Sequence, residues 1–143
     1  MAGEESAGMS VTNWVTEKDG LLAVFLLLEI MSATGQDIAG LYKQLTELYG
    51  NPVYTRVDMP VTDEVKAKLK GFTEESLSYL KEVAGEKVLK IRTGDGVKVY
   101  LEESWFLVRP SGTEAIVKFY AETFKGEEHL SKILEEGKKV FGI

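Results

Sequence analysis

Along this chain the hydrophobic positions first crowd together, then fall into helical spacing, and finally alternate. Leu21 to Met31 reads LLAVFLLLEIM, in which Glu29 is the single charged position. Asp19 ahead of the run is a good N-cap and Gly35 beyond it a stop signal, so the pattern predicts a helix between them. Almost no polar face remains, and a helix apolar all round must be covered on most sides by other structure. The 18 residues before it, rich in Gly, Ser, Thr and Glu, cannot supply a covering sheet. The chain is therefore expected to be a piece of something larger. Asp37 to Gly50 sets Ile38, Leu41, Leu45, Leu48 and Tyr49 at helical spacing ahead of a closing glycine.

After the break at Asn51-Pro52, Val53 to Val61 alternates, with Val53, Thr55 and Val57 on one side and Tyr54, Arg56 and Asp58 on the other. Thr62 can cap the next stretch, which the pattern predicts as one or two helices interrupted near Gly71. KVLKIRT and VKVYLEE flank Gly94-Asp95-Gly96, and an Asp-Gly turn between alternating runs is a strong hairpin signal. SWFLVR and IVKFYAETF are two further strands, and EEHLSKILEEGKKVFG is a closing amphipathic helix on which His129 is expected to face solvent. Strand, helix, four strands, helix is the order of an α+β domain, an antiparallel sheet flanked by helices.

Composition narrows the chemistry. A length of 143 residues allows one domain with a real core, or one plus part of another. With 23 acidic against 17 basic residues and a net charge of -6, the chain has no global attraction for nucleic acid or an anionic membrane. Neither is an expected partner, and any anion must be held by a local site. The apolar run is too short to cross a bilayer, and no basic segment precedes it as in a signal peptide. The absence of cysteine excludes disulfides and thiolate metal sites and fits a cytoplasmic location.

Against that background RPSGTE, residues 109–114, is informative. A phosphate monoester carries nearly two negative charges and three acceptor oxygens. Holding it takes a planar guanidinium, short hydroxyl donors and exposed backbone amides where a glycine permits close approach. Arg109, Ser111, Gly112 and Thr113 supply these within five residues, and Pro110 fixes the backbone entering the turn. Lys118 lies on the same face of the next strand as Ile116, and its long stem can bring the ammonium back toward the turn. The plainer reading, an ordinary turn beside a solvated arginine, stands next to this one.

RPSGTEAIVKFYAE resembles the phosphate-binding loop in the C-terminal domain of the α-D-phosphohexomutases, the phosphoglucomutases and phosphomannomutases. GEESAG, Gly3 to Gly8, resembles that family's sugar-recognition loop, and EKDGLLA, Glu17 to Ala23, the lysine-bearing turn that opens the following helix. The resemblance implies that 1–50 are the C-terminal part of the third, sugar-recognising α/β domain and 51–143 the phosphate-binding α+β domain. It implies that Arg109, Ser111, Gly112 and Thr113 bind the substrate phosphate, with Lys18 and Lys118 as further basic contacts. It also implies that Glu4 and Ser6 bind sugar hydroxyls, for which a carboxylate accepting from two adjacent hydroxyls reads their orientation. The glutamate-glutamate-serine form of that loop looks more like glucose-1-phosphate mutases than strict phosphomannomutases.

The sequence departs from the family pattern at Ala115, where many members carry proline, and at Ala7, where glycine is frequent. No segment matches the family's phosphoserine or its aspartate-rich magnesium loop. The resemblance thus implies a parent enzyme that interconverts hexose 1-phosphate and hexose 6-phosphate, with its magnesium and its catalytic serine held by missing upstream domains. The expected partners are the phosphosugar, those domains, and a second copy of the chain through the apolar helix over 21–31. This piece alone is expected to be inactive. The competing expectation is a stand-alone, non-catalytic module that binds another anion or a protein.

Overall fold

In the computed structural model, which describes residues 1–3 and 8–143, the chain divides into two units, Met1–Tyr49 and Gly50–Ile143. In the first, the short strands β1 (Ala2–Gly3) and β2 (Met9–Ser10) pair antiparallel. Helix α1 (Gly20–Thr34) begins where the Asp19 carboxylate accepts the Leu22 amide at 2.9 Å. It ends where Gly35 turns left-handed, φ 67°, and returns its amide to the Met31 carbonyl. The Leu22 amide, helped by the Trp14 indole, holds the Asp19 carboxyl below its ordinary range. Both ends of the helix are thus set by the residues that the sequence marks.

Helix α2 (Ile38–Tyr49) follows at 83° to α1. Neither helix contains a buried residue; Leu21 is 74% and Phe25 66% exposed. Leu27, Ile30, Leu41, Leu45 and Leu48 line an apolar cleft of about 410 Å³ between the two helices. The cover that an all-apolar helix requires is not supplied by this unit. Among the described residues no single helix is long and apolar enough to cross a membrane.

The second unit has the predicted α+β class. Its strands are β3 (Val53–Pro60), β4 (Glu82–Val83), β5 (Glu86–Lys87), β6 (Lys90–Gly94), β7 (Gly96–Tyr100), β8 (Ser104–Pro110) and β9 (Ile116–Thr123). Its helices are α3 (Asp63–Lys70) and α4 (Glu127–Phe141). Five strands form one sheet in the order β3-β9-β8-β7-β6, antiparallel throughout. Period-two alternation sends Val97, Val99, Phe106, Val108, Val117, Phe119 and Ala121 into the core. The opposite face carries Tyr54, Arg56, Lys98, Tyr100, Trp105 and Tyr120. There the Lys98 ammonium sits 3.9 Å over the Trp105 ring and 5.0 Å from the Tyr100 centroid.

On the core face α4 approaches closely because Gly137 has no side chain: a Cβ there would lie 2.5 Å from the Phe119 ring. The Phe119 ring stacks on Phe106 at 5.5 Å, and Phe141 of the same helix meets Phe106 edge-on at 6.3 Å.

Three predicted features differ. No second helix follows Gly71. Thr73 and Ser76 instead bond each other reciprocally, Thr73 N to Ser76 Oγ at 3.0 Å and Ser76 N to Thr73 Oγ1 at 3.1 Å. The resulting turns drive Leu77 into the core, fully buried, with Phe72 and Leu80 packed against it. The run KVLKIRT is also not one strand, because Lys87 pairs back on Glu82 in a β4–β5 hairpin and β6 starts at Lys90.

That hairpin explains why His129 is not on a solvated face. It buries Glu86 completely, and His129, on the first turn of α4, sets its Nε2 2.5 Å from Glu86 Oε1. Ser104 Oγ donates to the same oxygen at 2.5 Å and the Glu103 amide to Oε2 at 2.7 Å. Because a hydroxyl has one proton, the 2.8 Å contact between Ser104 and Thr123 is then donated by Thr123. Burial alone pushes the Glu86 carboxyl up, but the bonds from Ser104, Glu103 and His129, with the Lys125 charge, outweigh it and hold it below the ordinary range. This clasp ties β5, β8, β9 and α4 together at the end of the sheet where β8 begins.

Removing one partner from a buried charged network costs about 3 kcal/mol or more, so Glu86→Ala should lower the denaturant midpoint by a corresponding amount. A carboxyl whose folded pKa is depressed contributes stability above its unfolded pKa and loses it as pH falls through the folded value. The stability difference between the native chain and Glu86→Gln should therefore shrink in acid, below the ordinary carboxylate range. Denaturant titrations of both proteins at descending pH check this, and a difference that is constant with pH contradicts it.

Candidate functional site

The other end of β8 carries Arg109, and the strand register decides what surrounds it. Arg109 lies opposite Lys118 of β9, and Lys118 opposite Asp58 of β3. Like charges directly across an antiparallel pair repel, so the two cations stand together only with anions near them. Asp58 is held in a two-pronged bond by Arg56, Nε to Oδ1 and Nη2 to Oδ2, each 2.9 Å. The Arg56 guanidinium, and the more distant Lys118 charge, keep the Asp58 carboxyl below its usual range. On the far side of Arg109 is Asp95, the single residue at the tip of the β6–β7 hairpin between Gly94 and Gly96, which pair with each other. Its Oδ2 is 2.7 Å from Arg109 Nη2. Asp58, Lys118 and Arg109 thus stand in one row across β3, β9 and β8, and Asp95 reaches the end of that row from the hairpin tip.

Between β8 and β9 the loop closes with the Ser111 amide donating to the Ile116 carbonyl at 2.9 Å. Ser111 is buried, and its Oγ accepts the amides of Thr113 at 3.4 Å and Glu114 at 3.2 Å. This organises the bend from inside. The Gly112 amide has no hydrogen-bond partner among the described residues. Lys66 of α3 donates to the Glu114 carbonyl at 2.8 Å, and the Val61 amide to Ala115 at 3.0 Å, so the loop is braced from outside as well.

A cleft of about 540 Å³ opens above this bend, lined by Arg109, Ser111, Gly112 and Lys118 with Lys70 and Asp95. Four of the predicted phosphate-site residues therefore meet in one place. Thr113 is exposed next to them in the same loop. Lys18 belongs to the N-terminal unit, one residue ahead of the Asp19 cap of α1. Glu4 and Ser6 lie outside the described residues.

The arrangement departs from the sequence expectation in two ways. The guanidinium of Arg109 is ion-paired, and the buried Ser111 oxygen accepts hydrogen bonds from its own loop. Three residues of the site carry no local sequence signal for it. Asp95 reads as turn chemistry, and Lys66 and Lys70 read as solvated helix charges. Only the packing of α3 and the hairpin beside the loop brings them in.

Residues 57–139 match the family model described as phosphoglucomutase/phosphomannomutase, C-terminal domain, and residues 1–49 match that of the family's alpha/beta/alpha domain III. A phosphoglucomutase from Komagataeibacter xylinus is 40% identical over 147 residues, covering 94% of this chain and 26% of the relative. A phosphoglucosamine/phosphogalactosamine mutase from Sulfurisphaera tokodaii is 33% identical over 137 residues, covering 96% and 28%. A phosphoglucomutase/phosphomannomutase family protein from Burkholderia thailandensis shares the fold, with a TM-score of 0.66 at 22% identity over 96% of this chain and 26% of that one. The chain spans roughly a quarter of the length of these relatives, as the 26% and 28% coverages show. With both family models matched in order and the arginine-led loop at the mouth of the cleft, the chain belongs to the phosphoglucomutase/phosphomannomutase family.

Proposed function

We propose that this chain is the phosphate-gripping and sugar-reading part of a phosphohexomutase that interconverts hexose 1-phosphate and hexose 6-phosphate. In the parent, a phosphoserine in an upstream domain donates its phosphoryl group to the free sugar hydroxyl. The bisphosphate so formed reorients, and the serine takes back the other phosphoryl group. Throughout, the 109–114 loop holds the phosphate that is not reacting. Binding energy gained at this distant group presents the reacting oxygen to the phosphoserine, which is catalysis by positioning.

The observation that carries this reading is the convergence of Arg109, Lys118, Lys70 and Gly112 on one cleft. A dianionic ester with three acceptor oxygens is the ligand such a donor set suits. The names of the relatives support it. They differ in the sugar, glucose in one and glucosamine or galactosamine in another, and share the phosphate. A loop that reads only phosphate serves all of them. The sugar is then read elsewhere, by Glu4 and Ser6 in this reading, with Lys18 as a further basic contact.

Among the described residues no group of three or more His, Cys, Asp or Glu side chains is placed to hold a metal ion. In this reading the magnesium that the family resemblance implies belongs to the upstream part of the parent, and no step assigned to this chain runs through it. Cytoplasmic location is part of the same reading.

Titration with inorganic phosphate or glucose 1-phosphate, followed by amide chemical shifts, should move Gly112 and Thr113 and leave the β4–β5 hairpin unchanged. A charge-assisted hydrogen bond contributes about 1.5–3 kcal/mol, so Arg109→Ala should weaken binding about tenfold or more. Absence of any shift in the loop would sink the reading. The pure chain should show no mutase turnover with glucose 1-phosphate; turnover would overturn the division of labour between this piece and the upstream domains.

The apolar surface of α1 and α2 belongs in this reading to the interface with upstream domains. In the isolated chain a second copy takes their place, because an exposed apolar helix of this size does not stay solvated. Sedimentation should show a concentration-dependent dimer that Phe25→Glu returns to monomer. A native chain that stays monomeric at high concentration contradicts it.

A further inference from the structure

We propose that Asp95 is a positioning residue for the anion site, holding the Arg109 guanidinium in the orientation that a phosphate requires. The inference rests on the phosphate-binding reading of the cleft. Arg109 has a long side chain, 48% exposed, and faces the like charge of Lys118 across the strand pair. Left to itself it would swing outward to relieve that repulsion and gain rotamer freedom. Asp58, the other nearby carboxylate, stands on β3, two strands away from β8, and is bonded to Arg56 instead. Asp95 is the group that restrains Arg109.

The hairpin tip that carries Asp95 is itself fixed. Gly96 adopts φ 105°, and a Cβ there would stand 2.6 Å from the Val108 carbonyl and 3.1 Å from the Arg109 Cα. The tip therefore rests directly on the backbone of the residue whose side chain it restrains. A carboxylate on this anchored turn engages one terminal nitrogen, Nη2, at 2.7 Å. A guanidinium presents five donors in a rigid fork, so an ion pair at one nitrogen limits the orientations of the rest, and Arg109 lines the cleft in which a phosphate would sit. Asp95 acts through Arg109 and need not touch the ligand.

The sign of the effect makes the inference testable. By charge alone, removing a carboxylate beside an anion site strengthens anion binding. Positioning predicts the reverse: in the 143-residue chain, Asp95→Ala weakens inorganic phosphate binding by about fivefold, the scale of one exposed ion pair. Asp95→Glu restores part of it. Without any ligand, the Arg109 side-chain Nε–H resonance should be dispersed in the native chain and collapse to that of a freely rotating arginine in Asp95→Ala, with the sheet amides unmoved. Phosphate binding that is equal or tighter in Asp95→Ala, or an Arg109 resonance indifferent to the substitution, overturns the proposal. If Arg109→Ala abolishes binding while Asp95→Ala improves it, the phosphate site stands and the positioning role falls. If the native chain binds no phosphate, the site reading falls, and the ligand-free Arg109 resonance still decides whether Asp95 orients the guanidinium.

Discussion

The site depends on one electrostatic constraint: the β8–β9 register sets Arg109 and Lys118 directly opposite each other. Two cations at that position repel, and the fold answers by setting the Asp58 carboxylate across from Lys118 and the Asp95 carboxylate of the hairpin tip against Arg109. The same register that creates the repulsion sets two partly compensated cations beside an open cleft, and the proposed phosphate site rests on that arrangement. A one-residue slip would send Lys118 to the core face and bring Val117 or Phe119 outward. The buried aromatic stack of Phe106 and Phe119 forbids that slip, so the apolar face of the sheet enforces the charge pattern on the other.

The sheet is treated differently at its two ends. Where β8 begins, Glu86 is buried and receives hydrogen bonds from Ser104, Glu103 and His129, a closed polar network that ties strands to α4. Where β8 ends, the polar groups are left partly open, with the Gly112 amide unpartnered among the described residues and Arg109 half exposed. The seven residues of β8 separate the two ends by about 20 Å. The closed network lies away from the cleft, and the packed phenylalanines between α4 and the sheet lie between the two regions.

The N-terminal unit obeys a different logic. Its helices are correctly capped and correctly bounded, yet they bury none of their own residues. Local signals suffice to form such helices only when tertiary cover is available, because isolated helices of 12 and 15 residues are marginal in water. Residues 1–49 match the alpha/beta/alpha domain III model, and within this unit the apolar surface of α1 has no cover.

By itself, the sequence determined whatever is decided within a few residues. Asp19 and Gly35 end α1, Thr62 caps α3, the alternation of Val53 to Pro60 forms β3, and Gly94-Asp95-Gly96 turns a hairpin. The arginine-led bend was equally legible, because all its donors lie in one short loop. Tertiary structure alone decided the pairings between distant residues. Glu86 and His129 are 43 positions apart, and Lys66 meets the loop 48 positions away. A lysine on a helix or an aspartate in a turn looks the same in sequence whether it faces water or a binding cleft. Strand order and helix packing make the difference, since they fix which charges share one cleft and so which pair.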